Sequence, residues 1–151
     1  SMFAKILSSS FDNRKNSVIH PSFVEIIKQL DVTDARILQF LKEYDYAIDS
    51  PIPYMKAVIN SDKGTKIIFP IIYFIDGSEK IDQLAPSLTN LERLGLLRIK
   101  SGTYSANDSD YDFIRNNFIV QHVLGNHPEI SFEKMCFSIT SLGENFLEVC
   151  L

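Results

Sequence analysis

Tryptophan is absent from this 151-residue chain, and cysteine is nearly so, with Cys136 and Cys150 alone. Two cysteines at that separation build neither a CxxC pair nor a zinc-ligand spacing. They also fall far short of the cysteine density of a small secreted disulfide scaffold. Both are expected to be reduced, buried thiols of a cytoplasmic protein. Glycine and proline number only 6 each, which excludes collagen-like and low-complexity chains. Positive charge is also scarce: 15 Lys and Arg stand against 19 Asp and Glu, a formal net charge of −4. That sign excludes a strongly cationic nucleic-acid binder. The longest apolar run, Ile67 to Ile75, is far shorter than the ~20 residues of a membrane-spanning helix. The opening residues are too short a run for a secretory signal.

What remains is an ordinary globular composition, 45% hydrophobic and 23% charged. The length suits one domain, and it buries enough surface to fold without a disulfide or a metal. Abundant isoleucine and sparse alanine point to a bacterial genome rich in A and T.

Helical spacing opens the chain. Phe3, Ile6 and Leu7 share one helix face. Nothing before them caps that helix, so it is expected to be the end of a longer one, with 1–16 as its remnant plus a polar linker. A second helix is predicted from Pro21, placed at the first helical position, with Phe23, Ile26, Ile27 and Leu30 as its apolar stripe. Asp31 and Asp34 resemble a capping box for a third helix, which turns Ile37, Leu38, Leu41 and Tyr44 inward.

The period then changes. Met55, Ala57 and Ile59 alternate with Lys56, Val58 and Asn60, the stretch Ser61 to Gly64 is a turn, and Thr65 to Ile75 is rich in β-branched and aromatic residues. This reads as a hairpin, with Pro70 marking a break, a bulge or an edge position. Helical spacing returns at Ile81, Leu84, Leu88, Leu91 and Leu94, with Pro86 starting the main helix and Gly95 at its C′ position. Leu96 to Lys100 reads as a strand. Asp110 to about Leu124 reads as one helix with Phe113, Ile114, Phe118 and Val123 in the core, although Phe118 to Val120 would also suit a strand. A strand from Met135 to Ile139 and a helix capped by Thr140, with Phe146, Leu147 and Cys150 on one side, complete the chain.

This order is α+β. A short helix that stops at Gly95 and releases a strand, answered by Met135 to Ile139, has the logic of a winged helix and its wing. The expectation is a single winged-helix-like domain over 17–151, with an additional β-hairpin and flanking helices.

Catalytic motifs are lacking: there is no GxSxG, Walker loop or GxGxxG. Asp108 to Asp112 begins like an EF-hand loop, but Phe113 and Ile119 stand where Gly and Glu are required. His122 and His127 do not share a helix face, and His20 is expected to bond locally at a helix entry. No catalytic, cofactor-binding or metal-binding residue is assigned. The presumed recognition helix offers Ser87, Asn90 and Arg93, and the presumed wing adds Arg98 and Lys100. So few cations make a poor duplex reader, and these five residues are better taken as a surface for protein contact.

Several blocks resemble one family. They are Phe3 to Leu7, His20 to Leu30, Asp34 to Leu38, Pro86 to Leu88, Asn90-Leu91-Glu92-Arg93-Leu94-Gly95-Leu96, and Thr140 to Phe146 with Cys150. In that order they are similar to the abortive-infection alpha family, of which the chain resembles the C-terminal portion. Phe3 stands where that family often has Trp, and Val32 where it often has Pro. The resemblance implies a bacterial protein of phage resistance, and it supplies no catalytic residues to carry over. The expected function is therefore a non-enzymatic interaction module in antiviral defence. Its partner would be a phage or host protein, a second copy, or its own upstream region. The alternatives are a winged-helix nucleic-acid sensor or regulator, and an undescribed enzyme.

Overall fold

A computed structural model describes residues 20–100, 102, 104, 105 and 107–151. The expected helix at Phe3 to Leu7 and the linker after it lie outside the described residues. Among those described are six helices and one four-stranded sheet, a mixed α+β architecture. The chain divides into two compact units. The first takes in 20–50, 89–98 and 139–151, and the second 51–88 and 99–138.

The first unit is mainly helical. Helix α1 spans Phe23–Lys28 and α2 spans Val32–Glu43. The capping box between them forms as expected: the Asp34 N–H donates to Asp31 Oδ1 at 2.7 Å, and the Asp31 N–H donates to Asp34 Oδ2 at 3.1 Å. Satisfying two orphan N–H groups at once fixes where α2 begins. Helix α3 covers Ala85–Arg93, of which the unit holds Thr89 onward. It ends in a Schellman motif. The Leu96 N–H donates to Leu91 O at 3.0 Å, the Gly95 N–H donates to Glu92 O at 2.9 Å, and Gly95 has φ +82°. The last helix of the chain, Ser141–Cys150, is capped by the Thr140 hydroxyl, which accepts from the Gly143 N–H at 3.0 Å. Phe23 packs edge-on against Phe146 at 5.2 Å between centroids, amid buried Ile26, Ile37, Leu38, Leu41, Leu91 and Val149.

The second unit is built on the hairpin of β1 (Ile52–Ser61) and β2 (Gly64–Ile72). Ser61 pairs with Gly64, leaving Asp62-Lys63 as a two-residue turn. Pro70 is placed as a strand proline must be. β2 is an edge strand, and between the pairs Met55↔Ile72 and Ala57↔Phe69 it carries one residue more than β1. That bulge lets a residue without an N–H sit in the ladder. Strand β3 is Leu97–Lys100, of which this unit holds Ile99 onward, and β4 is Ser131–Ile139, of which it holds all but Ile139. The sheet order is β2-β1-β4-β3. Met55, Ala57, Ile72, Phe74, Tyr111, Ile114, Val120 and Ile130 form one buried cluster. Within it the Tyr111 hydroxyl donates to Met135 O at 2.8 Å and accepts from the Ser105 N–H at 3.0 Å. Burial raises its pKa above the usual phenol value. The buried Glu79 carboxylate accepts the N–H groups of Ile75, Asp76 and Gly77 at 2.9–3.1 Å, which closes that loop.

The expected hairpin forms, and β1 also pairs antiparallel with β4 from Ile52↔Phe137 to Val58↔Ser131. Three expectations are corrected. Pro21 lies in a turn before α1, and Ser22 is the N-cap. Tyr44 is 63% exposed, because α2 stops at Glu43 and the ring lies against Phe40, 4.4 Å between centroids. The helix expected over Asp110 to Leu124 is broken. A 3₁₀ turn (Asp108–Tyr111) leads into α4 (Asp112–Arg115), and α5 (Phe118–Asn126) starts afresh. Asn117 causes the restart: its extended backbone leaves the helix, and its side chain accepts from the Ile119 N–H. The break turns Phe113 and Phe118 outward, and Tyr111 and Val120 enter the core instead. The final helix, α6, starts at Ser141.

Candidate functional site

The five residues singled out by sequence do not share one role. Ser87 is buried, so it offers nothing to a surface. Asn90 and Arg93, one turn apart on α3, face the α1–α2 junction. Asn90 Nδ2 donates to Asp34 Oδ2 at 2.8 Å and to Gln29 O at 3.1 Å. Arg93 donates to Asn90 Oδ1 through Nη2 at 2.7 Å and to Gln29 Oε1 through Nη1 at 3.1 Å. Asp34 is 2% exposed, so its carboxylate depends on the Asn90 amide and the Asp31 N–H. Thus Asn90 and Arg93 lock three helices together. Arg98 is exposed and Lys100 is half-buried.

A different surface of the first unit has the form of a binding site. Between the C-terminal end of α2, the loop after it and α6 lies a cleft of about 690 Å³. Leu41, Leu147, Tyr46, Ala47 and Ile48 give it apolar walls, and Asp45, Glu144, Glu148 and Lys42 surround them. Its volume is within the usual range of ligand pockets, ~300–1,000 Å³. Leu41 and Leu147 are buried, Ile48 is 40% exposed, and the three acids are exposed. Beside it runs an aromatic row in which Tyr44 lies tilted by 36° against Phe40 and 17° from parallel with Tyr46. Asp45 holds a left-handed backbone, φ +51°, immediately after the helix ends.

A family model described as abortive infection alpha matches residues 1–150, essentially the whole chain. The chain belongs to that family. No curated protein matches it. Its fold bears a loose likeness to the structure of an uncharacterized protein from the hydrocarbon-degrading marine bacterium Alcanivorax borkumensis SK2. The two are 16% identical and superpose with a TM-score of 0.45 over 93% of this chain and 96% of that one, a likeness too loose to argue from. Membership points to an abortive-infection protein, and among the described residues no helix is long and apolar enough to cross a membrane.

In this abortive infection alpha chain the acidic stretch after β3 serves the fold. Asp108 accepts from Arg115 Nη1 at 2.9 Å and from Lys134 Nζ at 3.1 Å. The bonds from Arg115 and then Lys134 hold its carboxyl down at about 2. His20 bonds to Ser22 at 2.7 Å at the entry of α1, as expected. The cleft was not anticipated from sequence. A signal for it existed: Glu144 and Glu148 lie one helical turn apart with Leu147 beside them, and Phe40, Tyr44 and Tyr46 gather aromatics at a helix end.

Proposed function

We propose that the chain is a non-enzymatic, cytoplasmic protein–protein interaction module of a bacterial abortive-infection protein, with a winged-helix-like arrangement as its scaffold. The observation that carries this reading is the cleft of the first unit, apolar inside and charged outside, beside exposed Tyr44 and Ile48. Apolar centres ringed by polar residues are the anatomy of protein interfaces. The scaffold reading rests on order: α1 and α2, then α3 stopping at Gly95, then β3 beside β4. The buried, reduced thiols of Cys136 and Cys150 suit a reducing compartment. Asn90 and Arg93 are bonded within the unit, and Arg93, like Arg98, remains exposed as part of the surface open to a partner.

The test is a phage-plating assay on cells carrying the full chain or its Ile48→Asp variant. Ile48 is exposed, and surface substitutions of this kind usually stay within ~0.5 kcal/mol, so folding is retained. Protection is expected to be lost while the melting temperature is unchanged. Full protection by a folded Ile48→Asp protein would refute the reading.

A further inference from the structure

We propose that the cleft receives a cationic, amphipathic segment of a partner protein, with Leu, Ile or Phe side chains directed inward and Lys or Arg along the rim. This rests on the interaction-module reading above and adds the chemistry of the occupant. Three exposed carboxylates, Asp45, Glu144 and Glu148, stand against the single cation Lys42 around the apolar walls. An acidic rim rejects an acidic segment by like charge, and the apolar surface exposed at Ala47 and Ile48 favours a segment with apolar side chains over a purely polar one.

The placement of two of these acids strengthens the argument. Asp45 follows the last turn of α2, and Glu148 lies in the last turn of α6, which has no basic residue. A helix C-terminus carries partial negative charge, so a carboxylate there is locally unfavourable. Asp45 also holds a left-handed conformation that Gly or Asn adopts at less cost. Lys42 in the last turn of α2 offsets only one of these charges, so Asp45, Glu144 and Glu148 leave a net negative charge around the cleft, which a cationic side chain relieves.

The experiment uses the full chain and a labelled amphipathic peptide of about 14 residues, Leu on one helical face and Lys on the other, the length at which helices begin to hold in water. A second peptide has Glu for every Lys. Anisotropy titrations at low and physiological salt compare the natural chain with an Asp45→Asn, Glu148→Gln double variant. Asn keeps the left-handed backbone, and both changes relieve the helix ends, so the melting temperature should be unchanged or higher. Binding of the Lys peptide is expected with Kd on the order of 10 µM. The double variant should weaken it about tenfold and flatten its salt dependence. The Glu peptide should bind at least about tenfold more weakly than the Lys peptide. Equal binding of the two peptides, no binding of either, or no effect of the double variant would overturn the proposal. The two readings fail separately. Loss of phage protection in Ile48→Asp without preference for the Lys peptide condemns the occupant alone, whereas retained protection in Ile48→Asp condemns the module itself.

Discussion

Gly143→Ala sets helix propensity against packing. Gly143 is the third residue of α6 and lies next to the capping interaction of Thr140. On propensity alone, replacing a helical Gly with Ala stabilises by up to ~1 kcal/mol. The surroundings oppose this. A methyl group there would fall inside the contact radius of the Leu96 carbonyl oxygen, 3.0 Å from the carbonyl carbon and 3.1 Å from Ile139 Cγ2. An ordinary carbon–oxygen contact is about 3.3 Å, so the first turn of α6 must move away bodily. That turn is tied to the same carbonyls. The Thr140 N–H donates to Leu96 O at 3.1 Å, and the Thr140 hydroxyl donates to Gly95 O at 2.6 Å. Overpacking costs ~1–3 kcal/mol, with the upper end appropriate when the obstacle is backbone. Loss of one such hydrogen bond adds ~1 kcal/mol. Subtracting the propensity gain leaves a net destabilisation of roughly 2–3 kcal/mol. Urea unfolding followed by circular dichroism measures it directly. A variant as stable as the natural chain, or more stable, would show that no close approach exists and that Thr140 and Gly143 act only locally.

Four further outcomes are expected. Asn90→Ala should cost ~1–3 kcal/mol by leaving the buried Asp34 carboxylate short of a donor; a change within ~0.5 kcal/mol on urea unfolding would return Asn90 to the surface. Gly95→Val should destabilise clearly, because φ +82° is a steric outlier for a β-branched residue; an unchanged melting temperature would contradict the Schellman geometry. The Asp108 carboxyl, held down at about 2, contributes stability that is present above its unfolded pKa and lost as pH falls through the folded value; NMR titration should give that low midpoint, and Arg115→Ala should raise it, with an ordinary midpoint in the natural chain as the refuting result. Duplex DNA should bind weakly, since Arg93, Arg98 and Lys100 neutralise at most three phosphates and give a log–log salt slope no steeper than about −3; submicromolar anisotropy binding at ~150 mM salt, lost on Arg93→Ala, would favour a nucleic-acid reader.

The features legible without a structure are those decided by neighbours along the chain. The Asp31–Asp34 box, the Gly95 stop, the Thr140 cap and the turn at Ser61 to Gly64 each close over a few residues. The atoms that satisfy one another there are close in any conformation, so residue type and spacing suffice. The family blocks were legible for a similar reason, being short strings that require no contact map.

Residue type alone could not tell which apolar side chains reach a core. Tyr44, Phe113 and Phe118 fit helical stripes yet face outward, because Glu43 ends one helix and Asn117 restarts another. A shift of one or two residues in a helix boundary rotates every later side chain by 100–200°, and boundaries depend on tertiary bonds such as Asn117 Nδ2 to Gly77 O at 2.9 Å. Strand pairing was likewise beyond reach: whether β1 meets β4 depends on residues some eighty positions apart. The candidate site divides in the same way. The sequence by itself settled the α+β class, the caps at Asp31 and Thr140, the stop at Gly95 and the shortage of cations that argues against a duplex reader. The tertiary structure decided that Asn90 is bonded to Asp34 and that Leu41, Ile48, Glu144 and Leu147 converge on one cleft. Long-range packing brings those side chains together, and no local pattern records a convergence whose members lie about a hundred residues apart.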